Sequence, residues 1–236
     1  MGNEKKLPSR TKADSQGVAD FLSKVAAIPN RASTGRRGRL IFALDATVSR
    51  QPTWDQACHI QAEMFQETEA LGGLDVQLVY YRGFRECKAS KWYGQSAPLL
   101  RAMTGVECLA GRTQIGRVLR HAKKEAAQQQ VNALVFVGDA MEEPLDELGH
   151  LAGELGLLGL PCFFFHEGDD GLTRQAFEQL ARLSGGACCH FDAASAQQLR
   201  DLLAAVAVFA AGGLKALADF SGKRGGAARL LTHQLR

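Results

Sequence analysis

The sequence predicts a doubly wound α/β domain built on a mostly parallel six-stranded sheet with one antiparallel edge strand. Three observations lead there. Apolar runs too continuous for half-exposed strands recur at Arg39–Leu44, Ala133–Val137 and Cys162–Phe165, as strands covered on both faces require. Segments with helical periodicity separate them, so strand and helix alternate. One short connection, between Phe84 and Glu86, joins two strands in succession and so makes an antiparallel pair.

The elements follow in order. Met1 to Asp14 is polar and charged. Val18, Phe21, Leu22, Val25 and Ile28 recur at helical spacing, so about 16–27 reads as a short amphipathic helix ending before Pro29. A Gly/Arg/Ser linker leads to the first strand. Thr53 to Leu71 is a helix, with Thr53 as N-cap and Gly72-Gly73 as the stop. Leu74–Phe84 and Glu86–Tyr93 form the antiparallel pair, and Ala97–Met103 a short helical turn. Thr113–Gln129 is a long helix before the strand Ala133–Val137. Pro144–Leu158, Cys162–Phe165, Leu172–Leu183, Ala187–Phe191 and Ala196–Phe220 complete the alternation as helix, strand, helix, strand and helix. The organisation is therefore a basic N-terminal segment at 1–37, one domain at 38–220 and a basic tail at 221–236. In that tail Leu231 and Leu235 would share a helical face.

At 236 residues, 46% apolar and 22% charged, the chain has the composition of a globular domain with a full core. The net charge of +3 conceals an asymmetry. Residues 1–39 hold nine Lys/Arg against three acids, and 221–236 hold four against none, which leaves 40–220 acidic. No aromatic residues interleave with the basic ones, so nucleic acid is not an expected partner. The start shows no apolar secretory core, and Lys6 stands where a myristoylation signal wants Ser or Thr. The apolar run Leu202–Leu214 is short for a bilayer span and reads as a buried helix, so no membrane partner is expected. Six cysteines without C-x-x-C spacing read as reduced thiols, and the expected location is cytoplasmic. Cys188-Cys189-His190 lies on a strand, where neighbours face opposite ways and cannot share a metal.

In open parallel sheets, functional groups collect at the carboxyl ends of the strands. Three such places here offer oxygen ligands. The first strand ends in Asp45-Ala46-Thr47-Val48-Ser49, the long middle helix opens at Thr113, and the next strand ends in Gly138-Asp139. If the strands leading to Asp45 and Asp139 are neighbours, the five side chains converge. Two carboxylates and three hydroxyls make a hard, oxygen-only site suited to Mg²⁺ or Mn²⁺, less to Ca²⁺, and not to zinc, which favours His or Cys. An ion whose charge is only balanced by two carboxylates, with a position left open, attracts a carboxylate from outside.

This pattern resembles the metal-ion-dependent adhesion site of von Willebrand factor A (VWA) domains, whose fold is Rossmann-like. The family's motif is Asp-x-Ser-x-Ser; here Thr47 replaces the first Ser and keeps the hydroxyl while adding a methyl group. The resemblance spans about 38–220 and includes the antiparallel edge strand. It implies that Thr47 and Ser49 touch the ion directly, that Thr113 does so when ligand binds, and that Asp45 and Asp139 act through water. It implies a protein-binding adaptor or subunit, not an enzyme, whose ion accepts an Asp or Glu side chain of a protein partner. The chain also looks like short bacterial proteins carrying only this domain. Arg112, Trp54 and Glu142 flank the site and are candidates for partner binding; a solvated Arg, ordinary packing and favourable charge at the helix starting near Pro144 are their plainer readings.

Two other functions fit parts of the pattern. An apolar strand ending in Asp45 resembles haloacid-dehalogenase-type phosphatases, with Asp169-Asp170 as the late acidic pair that holds Mg²⁺. That reading lacks the acid two residues after Asp45, where Thr47 stands; the plainer reading of Asp169-Asp170 is a turn with a helix N-cap. A metal-independent interaction module would work through helical faces or the basic ends.

Overall fold

In a computed structural model, residues 20–21, 23–25, 37–191 and 196–223 are described. Six strands form one sheet: β1 (Gly38–Asp45), β2 (Leu74–Arg82), β3 (Glu86–Tyr93), β4 (Ala133–Gly138), β5 (Cys162–Glu167) and β6 (Cys188–Phe191). Their order is β3-β2-β1-β4-β5-β6. Only β2 and β3 pair antiparallel, with β3 at the edge. Every residue of β1, β4 and β5 is buried, which accounts for their uninterrupted apolar runs.

The helices are α1 (Gln51–Thr68), α2 (Ser96–Thr104), α3 (Ile115–Gln128), α4 (Leu145–Leu157), α5 (Gly171–Leu183) and α6 (Ala196–Lys223). They divide the core into two layers. On one face Leu40, Phe42, Leu44, Val135 and Phe163 pack against α1, α2 and α6; on the other Ile41, Ala43, Leu134, Phe136 and Phe164 pack against α3, α4 and α5. The alternation along each strand is the period of two that sends neighbouring side chains to opposite faces. Cys188 and Cys189 obey it, one in each layer. The six cysteines, all among the described residues, form no disulfide.

Helix starts differ from the sequence-based expectation in informative ways. Thr53 is not an N-cap: a 3-10 turn at Val48–Arg50 runs straight into α1, and Pro52 occupies its first turn, where a missing N–H is harmless. This frees the Thr53 hydroxyl, which donates to Glu167 instead. Thr113 lies just ahead of α3 rather than within it, with Gln114 at the cap position. Asp170 does cap α5, accepting from the Leu172 and Thr173 amides at 3.1 Å each.

The last helix is long and apolar enough to cross a membrane on length and composition alone, but 72% of its apolar window is buried inside the domain. Leu202, Leu203, Val206 and Phe209 lie against the sheet, and the helix breaks at Gly213, whose φ of 68° lies in the left-handed region that only glycine enters freely. The described part of the N-terminal segment also belongs to the core. Residues 20–21 and 23–25 are helical, and Phe21 sits edge-on to Phe165 and Phe163 at 5.5 and 6.1 Å between ring centroids. The basic tail beyond residue 223 lies outside the described residues.

Candidate functional site

β1 and β4 are adjacent and parallel, with Leu44 opposite Val137, so Asp45 and Asp139 leave the sheet side by side at its carboxyl edge. The intervening residue is Gly138, and a β-carbon built there would come within 3.8 Å of that of Asp45. Asp45 is buried, and its Oδ1 accepts from the Thr47 amide at 2.8 Å, which folds the loop back over the strand end. That turn brings the Thr47 and Ser49 hydroxyls to 3.2 Å of each other at the surface. Burial pushes the Asp45 carboxyl up to about 6; the neighbouring charge of Asp139 adds to the rise, and hydrogen bonds from Thr47 and Tyr81 oppose it. The Tyr81 hydroxyl beneath is driven well above its ordinary range, by burial first and by the Asp45 charge next.

Thr113 arrives from a loop that is fastened at several points. The Leu109 amide donates to the Ala46 carbonyl at 3.0 Å, and the Arg112 amide to Gly83 at 3.1 Å. Gly111 passes so close that a β-carbon there would sit 2.0 Å from the Gly83 carbonyl oxygen. At the end of this loop Thr113 and Glu142 make a reciprocal pair: the Glu142 amide donates to the Thr113 hydroxyl and the Thr113 amide to the Glu142 carboxylate, each at 2.9 Å. Glu143 accepts from the Gly116 amide at 2.8 Å. Glu142 and Glu143 therefore serve the start of α3, across the edge, and not α4, the helix that follows them in sequence. The positive end of a helix attracts them either way, but the pairing joins the loop after β4 to the loop before α3.

The edge thus gathers Asp45, Thr47, Ser49 and Asp139, and ties Thr113 to the loop that carries Asp139. Arg112 is exposed beside them. Trp54 is not available to a partner: it is 2% exposed, its indole donates to the Met103 carbonyl at 3.1 Å, and its ring meets Tyr80 edge-on. Its place at the start of α1, close to the proposed site, made Trp54 a candidate for partner binding; the alternative of ordinary packing is what the fold shows.

Two features were not foreseen. One is Arg50, directly after Ser49. Its guanidinium lies 3.3 Å from Asp139 and also pairs with Glu167, the last residue of β5, which takes the Thr53 hydroxyl as well. A carboxylate closing a buried strand beside an acidic neighbour was the signal that a cation had to come from elsewhere in the fold. The other is a set of large apolar side chains left in solvent on this same edge. Val48 (57% exposed) follows β1, Phe84 (73%) closes the β2–β3 turn, Leu109 (43%) sits on the fastened loop and Leu172 (78%) opens α5.

The donor set fits a hard divalent cation. It is all oxygen, and the three carboxylates of Asp45, Asp139 and Glu167 against one guanidinium leave the charge a divalent ion would balance. Asp45, held at a desolvation penalty, is a carboxylate whose ionised form a cation beside it would stabilise. Among the described residues no group of three or more His, Cys, Asp or Glu side chains is placed to hold a metal, so an ion at this edge would depend on the Thr47, Ser49 and Thr113 hydroxyls beside the carboxylates.

No family model and no curated protein matches the sequence. Solved structures do. A von Willebrand factor type A protein from Catenulispora acidiphila superposes with a TM-score of 0.59 at 14% identity over 71% of this chain, which spans 42% of that protein's length. The SpRpn10 VWA domain gives 0.55 at 12% identity, covering 72% of this chain and 95% of that one. Proximal thread matrix protein 1 from the mussel byssus, with a zinc-occupied MIDAS motif, gives 0.56 at 16% identity over 71% of this chain and 46% of its own. The sheet order, the single antiparallel edge strand and these superpositions agree that the chain has the von Willebrand factor A fold.

Proposed function

We propose that this protein is an interaction module that holds one divalent cation at the carboxyl edge of its sheet and binds an Asp or Glu side chain of a protein partner through it. The observation that carries this reading is the juxtaposition of Asp45, Thr47, Ser49 and Asp139 by the β1–β4 pairing. Thr47 and Ser49 present hydroxyls outward for direct contact, Asp45 and Asp139 supply charge behind them, and Thr113 approaches with its loop. The ion, when bound, supplies an electrophilic position that a partner's carboxylate completes. Arg112 stands exposed to attract an anionic side chain, and Val48, Phe84, Leu109 and Leu172 give the surrounding rim an apolar contact area. Mg²⁺ and Mn²⁺ suit the oxygen donors best, with Ca²⁺ behind them. The zinc in the mussel protein's corresponding motif widens the set to be tested.

This reading makes the protein a binding subunit and not an enzyme. The phosphatase alternative is disfavoured because Thr47 stands where its general acid is needed, and Asp170 is engaged as the N-cap of α5. A cytoplasmic setting suits six cysteines without a disulfide; burial pushes Cys58 and Cys108 up to about 11 and Cys162, Cys188 and Cys189 up to about 12.

The test is a calorimetric titration of chelator-stripped protein with Mn²⁺, Mg²⁺ and Zn²⁺, beside Asp139→Ala. One equivalent bound by the wild type and lost in the variant supports the site. Binding that Asp139→Ala leaves unchanged refutes it. A partner found by other means should dissociate in excess chelator; a complex that survives chelation favours the metal-independent module.

A further inference from the structure

The placement of Arg50 bears on how tightly the proposed site holds its ion. Its guanidinium is mostly buried, with 13% of the side chain exposed, and it is shared between Asp139 at 3.3 Å and Glu167, whose side chain is 6% exposed. Glu167 is fixed in turn by the Thr53 hydroxyl. A positive charge is thus anchored against one of the two carboxylates proposed to serve the cation, in surroundings where water screens it little.

We infer that Arg50, held in place by Glu167, is a resident cation that competes with the divalent ion for Asp139 and sets the ion's affinity. The inference rests on the metal-binding reading above and specifies its regulation. Arg50 weakens the site in two ways: it repels a divalent ion directly, and it occupies an oxygen of Asp139. Glu167 works in the opposite direction. It draws the guanidinium toward β5 and offers it a second carboxylate when Asp139 turns to the metal. The ion therefore binds weakly to the protein alone and gains when a partner's carboxylate adds the negative charge that Arg50 offsets.

Opposed substitutions separate this from a merely structural role. Arg50→Met should tighten Mn²⁺ binding to the chelator-stripped full chain by roughly tenfold or more. Glu167→Gln should weaken it, by about tenfold, because Arg50 is then left to Asp139 alone. Arg50→Lys, which keeps the charge, should bind close to the wild-type strength, and the Arg50→Met/Glu167→Gln pair should fall between the single variants. Thermal melts identify any variant that does not fold, and Glu167→Gln and Arg50→Lys keep the test open if Arg50→Met is one of these. Wild-type binding with an unchanged Kd in Arg50→Met, or with both single variants weakened alike, overturns the inference and leaves the metal site standing. No binding by wild type or Arg50→Met up to millimolar Mn²⁺ overturns both.

Discussion

Asp45→Asn in metal-free protein should raise stability at neutral pH, although it removes a carboxylate from the proposed site. Burial lifts the carboxyl from its usual 3.8 to about 6. Each pH interval of one in such a displacement corresponds to about 1.4 kcal/mol, so ionised Asp45 destabilises the fold by about 3 kcal/mol. Because the folded-state value lies above the unfolded one, the stability associated with this group is complete below about 3.8 and lost as pH rises through about 6. Asn keeps an oxygen for the Thr47 amide, now 2.8 Å from the carboxylate, and carries no charge at any pH. With some of the gain lost to imperfect replacement, Asp45→Asn should be more stable by about 2–3 kcal/mol at pH 7.5, or about 5–10 °C in Tm for a domain of this size. Urea unfolding in excess chelator at pH 7.5, 6, 5 and 4 measures this, and the gap should close as pH falls. Excess Mn²⁺ should close the gap: metal at a hundred times its Kd stabilises the wild type by about 2.7 kcal/mol and the variant not at all. A variant no more stable than wild type in chelator at pH 7.5, or a gap constant down to pH 4, would refute the reasoning.

Other outcomes follow from particular contacts. Trp54→Phe removes the hydrogen bond to Met103 and should lower stability by about 2 kcal/mol in urea melts, with Mn²⁺ affinity unchanged, since the ring lies in the core. Gly111→Ala would place a methyl group against the Gly83 backbone; a loss of about 1–3 kcal/mol is expected, together with weaker Mn²⁺ binding by calorimetry as the Thr113 loop shifts. Phe21→Ala should lower unfolding stability by about 3–5 kcal/mol and leave metal binding intact, because the ring packs within the core against Phe163 and Phe165.

Most of the architecture was legible because strands buried on both faces leave a continuous apolar run that survives without any structure, as at Leu40–Leu44, Ala133–Val137 and Phe163–Phe165. The same runs located the strand ends, and hence Asp45 and Asp139. What the sequence concealed depends on rotation and reach. A 3-10 turn at Val48–Arg50 runs straight into α1, so Thr53 lies inside the helix and partners Glu167 where a cap was expected, and Trp54 bonds to Met103 in the core. Charge rules placed Glu142 and Glu143 at a positive helix end, but only the fold reveals that the end belongs to α3. Arg50 and Glu167 are 117 positions apart, and no local spacing announces their pairing. The apolar rim was hidden for a related reason: Val48, Phe84, Leu109 and Leu172 come from four places far apart in the sequence.

The seating of Phe21 on β5 has a consequence for the order in which the chain assembles. This residue is made well before its aromatic partners Phe163 and Phe165, which follow only after four other strands and most of the helices. Until they appear, the Phe21 side chain has no aromatic surface to dock on, so the segment upstream of β1 should join the core at a late stage. A fragment begun at Gly38, where the first strand starts, would lack that closing piece and leave aromatic surface on β5 uncovered. Such a fragment should fold less completely and self-associate, and a protein meant for study should retain the residues upstream of the sheet.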